Sequence, residues 1–547
     1  MNASAHEHID PAAKKPSRTF GIDLGTTYSC ISYVDDSGRP TIVKNAIGED
    51  TTPSVVFFET EDNVIVGRIA KNSQKTNPEL VASLIKRDMG EKTTLSFHGT
   101  EHSPESISAL ILREIAAAAT AELGEPVHDV VITVPAYFGV SQREATRHAG
   151  EIAGLNVVDV VPEPVAAALH YEAAGGGDRT ILVYDLGGGT FDTTVIRLVG
   201  DDISVVCTDG DHHLGGADWD ERISTWLLEC FLAENPASAA GEHEDFLQSL
   251  ATSAEEMKKA LSRKTGQKQP MRFASEVATA ELTRERFEQL TADLLERTFD
   301  ITARTIETAT AKGVDHFDDV LLVGGSTRLS AVAAGLRARF GFEPRLHDPD
   351  LAVAKGAALF ALIQTVKTAF PEGDDAAPSA VAMVADQLGI APEEVRRLSE
   401  KKVVTVAPRA FGIKALRAGS LTDCYVDHLI KANDVLPATP PVQRYATVHP
   451  DQTNIRIEVW EQAGAVASAD LEHNNRIGEG NIANLPPLPK GSPIDVTFNM
   501  AQNGTLRVHA VETTTGGDLD IELLIGGLNR DEVAQARDAV ARYSVGG

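Results

Sequence analysis

From residue 19 to about residue 368, short apolar runs alternate with stretches whose apolar residues recur every three or four positions. That alternation predicts strands separated by amphipathic helices, and so an α/β architecture. Three of the apolar runs end in glycine-packed turns. Residues 180–196 read TILVYDLGGGTFDTTVI, a strand, a tight turn and a second strand. Residues 20–34, FGIDLGTTYSCISYV, repeat the same grammar, so the two hairpins predict duplicated halves. Residues 320–329, VLLVGGSTRL, supply the third turn. Residues 51–58 (TTPSVVFF) and 129–134 (DVVITV, ended by Pro135) predict further strands, and residues 63–67 lead into a helix carrying Lys71. Residues 251–267 predict a charged helix on which Glu255, Lys258, Lys259 and Ser262 share a face.

The pattern changes after residue 370. Pro371, Gly373, Asp374, Asp375 and Pro378 form a polar break. Residues 380–388 then predict a helix, and Pro392 suits the first position of a second one. From residue 403 β-branched alternation takes over in VVTVAP, NIRIEVWE, PIDVTFNM, TLRVHAVE and DLDIELLI, which predicts an antiparallel β-sandwich. Residues 529–544 predict a last helix. The expected divisions are a disordered tail (1–18), a two-lobed α/β domain (19–369), a helical insert and linker (370–402), a sandwich (403–526) and a short helical segment (527–547).

Composition narrows the function. A chain of 547 residues with 42% hydrophobic content has material for three or four compact units. A formal charge of −29 argues against nucleic acid, whose affinity comes from clustered Lys and Arg. Cys30, Cys207, Cys230 and Cys424 form no CxxC pair, which fits a reducing, cytoplasmic setting better than a disulfide framework. The first eighteen residues lack the apolar centre of a secretion signal, and no apolar run is long enough to span a bilayer.

The glycine turns carry the chemistry. Gly187, Gly188 and Gly189 leave no Cβ in the way, so backbone N–H groups can close around an anionic oxygen. Asp185 and Asp192 flank that turn and suit the water shell of a Mg²⁺ that bridges phosphates. In the twin hairpin Asp23 supplies another carboxylate, Gly25 the turn, and Thr26 and Thr27 hydroxyl donors. Gly324 and Gly325 let a purine approach closely, and Arg328 can stack on its face. His212 and His213 are adjacent on a loop with no third ligand nearby, so they do not predict a metal site.

These residues together resemble the seventy-kilodalton heat-shock (DnaK-like) chaperone family. GIDLGTTYSC, TVPAYF, DLGGGTFD, HLGG, VGGSTR and DPDLAVAKGAA are similar to its nucleotide domain, and FGIK, PPLPKGSPIDVTFNM and GLNRDEV to its peptide-binding domain. The resemblance implies an actin-like ATPase of two lobes with ATP or ADP, Mg²⁺ and, as a second cation, K⁺ in the cleft. It implies that Asp23, Gly25, Thr26, Thr27 and Tyr28 face Asp185, Gly187 to Gly189, Thr190 and Asp192 across the phosphates, with Gly215 and Gly216 beside them. Glu255, Lys258, Lys259, Ser262, Gly324, Gly325, Ser326, Arg328 and Asp350 would enclose adenosine. Lys71 would stand by the γ-phosphate, Glu163 would order water or the metal shell, and Pro135, Arg143 and Glu163 would relay the nucleotide state. Asp23, Lys71, Glu163, Asp185 and Thr190 form the implied catalytic set. In the sandwich, Tyr445, Ile455, Ile457 and Leu485 would shape a pocket for extended or unfolded polypeptide. A J-domain co-chaperone and a nucleotide exchange factor are the implied partners of a monomer.

Four positions depart from the family pattern. His212 replaces a threonine near the γ-phosphate, which bears on hydrolysis rate. Pro162 replaces an asparagine, and Asp159 replaces an arginine used by J-domain partners, a reversal that weakens electrostatic steering. The linker reads KKVVTVAP, and most of the helical lid has no counterpart, so fast peptide release is expected. Two alternatives stay open: a nucleotide-switched scaffold for one dedicated partner with little or no hydrolysis, and a small-molecule kinase on the same fold, which has no need of a sandwich.

Overall fold

The computed structural model describes residues 18–173, 177–200, 202–370, 378–417, 419–420, 422–464, 466–523 and 528–546. Two six-stranded sheets frame the first part of the chain, and they share one plan. The first runs Asn156–Pro162, Asp129–Val134, Thr19–Asp23, Tyr28–Val34 and Pro40–Val43, with Thr52–Pro53 paired to Tyr28–Val34. The second runs Pro344–Leu346, Asp319–Val323, Arg179–Leu186, Phe191–Val199, Asp202–Asp211 and Val403–Val404. In each, three parallel strands are followed by two antiparallel ones, so the duplication expected from the hairpins holds strand for strand. The central parallel strands are buried on both faces, which is why Asp129–Val134 and Asp319–Val323 read as unbroken apolar runs.

Two helices, Glu163–Ala173 and Ala352–Ala369, cross between the lobes. Both are rich in alanine, and a Cβ on Gly356 would lie 1.7 Å from the Ala166 carbonyl oxygen. Small side chains and this glycine let the helices approach closely enough to hold the two sheets at a fixed distance. Helices Pro378–Leu388 and Pro392–Glu400 pack Val381, Val384, Val395 and Leu398 into the second lobe's core. Pro392 is the first residue of its helix, as expected.

The β-sandwich pairs one antiparallel sheet (Cys424–Ile430, Phe411–Leu416, Ile455–Gln462, Asn474–Ile482) with another (Gln443–Ala446, Pro493–Met500, Leu506–Glu512, Gly517–Leu523). Its alternating inward residues, among them Phe411, Val459, Val496 and Phe498, form one core. Four details differ from the sequence reading. Val403–Val404 adds in parallel to the second lobe's sheet and not to the sandwich, because the linker finds an open strand edge there. Residues 51–58 form two short strands, Thr52–Pro53 and Val56–Phe58. Arg18, assigned to the tail, reaches Glu125 at 3.0 Å and Asp36 at 3.3 Å. The terminal helix is Arg530–Ala541, capped by Asn529 and Glu532, and is followed by a strand, Ser544–Gly546. The rest of the expected tail (1–17) and most of the polar break (371–377) lie outside the described residues. No helix among the described residues is long and apolar enough to cross a membrane.

Where the insert meets the linker, the Lys401 ammonium is 2% exposed and donates to Glu172 at 2.7 Å. Removing one partner strands a buried charge. Glu172→Ala is therefore expected to lower stability in denaturant unfolding by about 3 kcal/mol, and Glu172→Leu combined with Lys401→Met to recover most of it. A loss under about 1 kcal/mol for the single change would contradict a structural role for the pair.

Candidate functional site

The two glycine hairpins meet face to face. A Cβ on Gly188 would lie 2.1 Å from Thr27 Oγ1, and one on Gly189 2.3 Å from Thr26 Cγ2, so the turns fit together only because these positions carry no side chain. Between the lobes opens a cleft of about 1300 Å³. It is lined by Asp23, Gly25, Thr26, Thr27, Tyr28, Glu163, Asp185, Gly187, Gly188 and Thr190. Glu255, Lys258, Lys259, Ser262, Gly324, Gly325, Ser326, Arg328 and Asp350 complete its wall, and the Tyr28 hydroxyl donates to Glu255 at 3.3 Å. Gly189, Gly215 and Gly216 stack behind that wall: a Cβ on Gly215 would meet the Gly189 backbone at 2.5 Å, and the Gly216 N–H donates to the Gly187 carbonyl. Ser326 Oγ also donates to that carbonyl at 2.8 Å, which ties the third glycine turn to the second.

At the floor sit four carboxylates. Asp185 and Asp192 face each other across their hairpin, Asp23 ends the matching strand of the first lobe, and Glu163 begins a crossing helix. Burial pushes Asp23 up to about 7 and Asp192 up to about 8, with the charge of Glu163 adding to both. Asp185 is raised furthest by burial, then by Glu163, Asp192 and Asp23. Against these stands one buried cation, Lys86, whose Nζ lies 2.6 Å from Glu163 Oε1. Thr133 Oγ1 donates to Asp23 at 3.1 Å, and the Tyr137 N–H donates to Asp192 at 3.1 Å. A nest of buried hard oxygen donors with excess negative charge fits a divalent cation such as Mg²⁺. Asp23, Asp185 and Asp192 are the residues that would hold it.

Sequence reasoning missed Lys86. Lys71, expected by the reacting phosphate, lines the cleft, and its ammonium bonds the Tyr28 hydroxyl at 2.9 Å and Glu255 at 2.6 Å. Lys259 approaches the same pair, 3.0 Å from Tyr28 and 2.7 Å from Glu255. Burial pushes Glu255 up, but the two lysines outweigh it and hold the carboxyl at about 2. This group spans the cleft mouth from first lobe to second. No neighbouring residue signals Lys86: it is followed by Arg87 and Asp88, as a solvated lysine would be, and its partner lies far along the chain. Arg87 was missed too; it donates to the Gly189 carbonyl at 3.0 Å and to Asp218 at 2.6 Å.

Other predicted positions fall as follows. Lys258 pairs with Asp220 at 2.6 Å, and Arg328 with Asp350. His212 is half-buried beside His213, and burial first, then His213, pushes its imidazole down to about 4. Asp159 is partly buried and faces Arg147 at 3.7 Å. Pro162 ends its strand opposite Val134. Arg143, pushed down to about 10 by burial, donates to the Phe138 and Ala136 carbonyls in the turn that Pro135 opens. In the sandwich, Ile455, Ile457 and Leu485 are 3%, 5% and 7% exposed and packed in the core, while Tyr445 donates to Asp427 at 2.7 Å. The first three are brought together within the sandwich core.

From the cleft floor a line of contacts leads into the sandwich. Behind Asp192, the Tyr137 ring lies 4.9 Å under the Arg409 guanidinium, and Arg409 reaches Gln142 at 3.4 Å. Glu461, buried in the sandwich, accepts from the Val140 N–H at 3.2 Å, at the first turn of helix Val140–Ile152. On the second lobe, Asn433 of the sandwich accepts from the Thr208 N–H at 2.8 Å. The sandwich therefore touches both lobes.

Compared with protein families, residues 19–372 and 374–543 match the model described as Hsp70 protein.

Gly188→Ala tests the hairpin contact. The added methyl must push the turns apart, so affinity for adenine nucleotide should fall at least about tenfold in calorimetry, with the circular dichroism spectrum unchanged. Unaltered affinity would show that the hairpins need not touch.

Proposed function

The chain belongs to the Hsp70 family, and from that premise we propose that it is a Mg²⁺-dependent weak ATPase that couples ATP binding and hydrolysis to reversible binding of extended polypeptide by its sandwich. Members of the family are ATPases that bind ATP or ADP with Mg²⁺ and K⁺, substrate polypeptides, J-domain proteins and exchange factors. The observation that carries the reading here is the Lys86 to Glu163 contact of 2.6 Å among three further buried carboxylates at the cleft floor.

Thr26, Thr27 and the backbone N–H groups of the glycine turns hold the phosphates, and the wall from Glu255 to Asp350 receives the adenosine. Asp23, Asp185 and Asp192 would hold a Mg²⁺ ion, which would supply positive charge to offset that of the phosphates. Lys86 stabilises the negative charge that develops on the transferring group. Glu163, fixed by Lys86, accepts a hydrogen bond from the attacking water and orients it. Lys71, Tyr28, Glu255 and Lys259 bridge the lobes over the nucleotide and link its presence to lobe closure. His212 stands neutral near this site, and its exchange for the family's threonine sets the turnover rate. Because Arg147 engages Asp159, J-domain docking at that face is weaker than in family members carrying arginine.

A second reading, a nucleotide-switched scaffold for one partner, draws support from the burial of Ile455, Ile457 and Leu485. The two are separated by a labelled unfolded peptide: saturable binding that weakens with ATP supports the chaperone, and no binding with any nucleotide supports the scaffold. For the chemistry, single-turnover hydrolysis is expected to fall about 10² to 10³-fold in Lys86→Ala. In Lys71→Ala, where the lost ammonium is one taken up by Tyr28 and Glu255 at the cleft mouth, it should fall by less than about tenfold. The reverse ranking would return the role to Lys71.

A further inference from the structure

The four-stranded sheet of Asn63–Val66, Val56–Phe58 and Val81–Ala82 in the first lobe is completed by the strand Ser544–Gly546. The pairing is parallel, Ser544 opposite Asn63, Val545 opposite Val64 and Gly546 opposite Ile65, and the Ser544 N–H donates to the Asp62 carbonyl at 2.9 Å. Just before it, the Tyr543 ring enters an aromatic slot, 6.0 Å from Phe58 and 5.7 Å from His102, with Phe97 stacked on Phe58 at 4.1 Å. Its hydroxyl lies 3.2 Å from His102 Nε2. Arg113, on the helix Pro104–Leu123, donates through both terminal nitrogens to the Val540 and Tyr543 carbonyls. Strand edge, slot and guanidinium fork read different features of one short segment: backbone, side chain and helix end.

We infer that this face of the first lobe is a strand-docking surface whose occupant is the chain's own 543–546 segment, and that the segment is a releasable latch holding the sandwich docked against the lobes. The sandwich hangs between two anchors. On one side Val403–Val404 is paired to the second lobe, and on the other Arg530–Ala541 and its following strand are fixed to the first. With both ends tied, the sandwich leaves the lobes only when one anchor lets go, because each raises the effective concentration of the other. The latch is the anchor that chain connectivity does not hold in place. Val403–Val404 follows directly on helix Pro392–Glu400 of the second lobe, whereas Ser544–Gly546 is held to the first lobe by three paired residues, the buried Val540 and Tyr543 and a few hydrogen bonds. Arg409 reports the outcome directly, since it is 5% exposed at the docked interface and becomes a tryptic site when the sandwich departs.

The test is limited trypsin digestion of the full chain without nucleotide, so that it stands or falls apart from any coupling to ATP. In Tyr543→Ala, cleavage after Arg409 should accelerate at least about tenfold over the native chain, because cleavage follows the open population. Ser544→Pro removes the N–H that donates to Asp62 and restricts the backbone on either side of it, while leaving the Tyr543 side chain itself unaltered; it should accelerate cleavage to a smaller degree. Tyr543→Phe keeps the ring in the slot and should retain most of the protection. Unchanged protection of Arg409 in Ser544→Pro overturns the inference. So does acceleration in Tyr543→Phe as large as in Tyr543→Ala, since the ring in the slot would then not be what holds the segment.

Discussion

Four carboxylates and one lysine share a buried floor, and the rest of the molecule is arranged around that imbalance. At about 4 Å in a partly screened interior, two like charges repel by roughly 4 kcal/mol, so three aspartates beside Glu163 cannot all stay ionised with Lys86 as their one buried partner. Protons can offset the imbalance, in line with the upward shifts of Asp23 and Asp192, or a cation brought in with the phosphates can. In the second case Asp23 and Asp185, near the ends of matching strands in the two halves of a duplicated fold, would be drawn toward a common charge.

That pull has a route outward. The mouth of the cleft is bridged by Tyr28, Lys71, Glu255 and Lys259, and its floor is backed by Tyr137, on which Arg409 rests. The sandwich is seated on both lobes at once, through Glu461 on the first and Asn433 on the second. A body that touches both sides of a hinge resists its movement, so relative motion of the lobes and docking of the sandwich are one equilibrium seen from two places. Hydrogen bonds and the Arg409–Tyr137 contact at this seam lose their buried surroundings together when it opens, which favours two states over a continuum.

Much of this was legible in the sequence because glycine and aspartate at strand ends leave sharp local signs. The three turns, the helix face of Glu255 to Ser262 and the Pro392 helix start all needed only neighbours in the chain. What escaped depended on partners far away. Lys86 meets a carboxylate seventy-seven positions on, and nothing beside it marks the encounter. VVTVAP alternates like a sandwich strand, yet pairing goes to whichever edge is free, and the second lobe's edge is nearer. Ile455 and Ile457 carry the same alternation whether they line a groove or a core; only the opposite sheet decides. The strand after Arg530–Ala541 is too short to have a period of its own, and its partner lies near the other end of the sequence.

The central claim is that the acidic floor demands a divalent cation with its nucleotide. Titration calorimetry of ATP into the protein, once with Mg²⁺ and once with the metal chelated, addresses it most directly. Affinity should be at least about tenfold higher with Mg²⁺, because without it the triphosphate adds negative charge to an already unbalanced site. Equal affinity in the two titrations would mean that the carboxylates are not there to hold a metal, and the account built on them would fail.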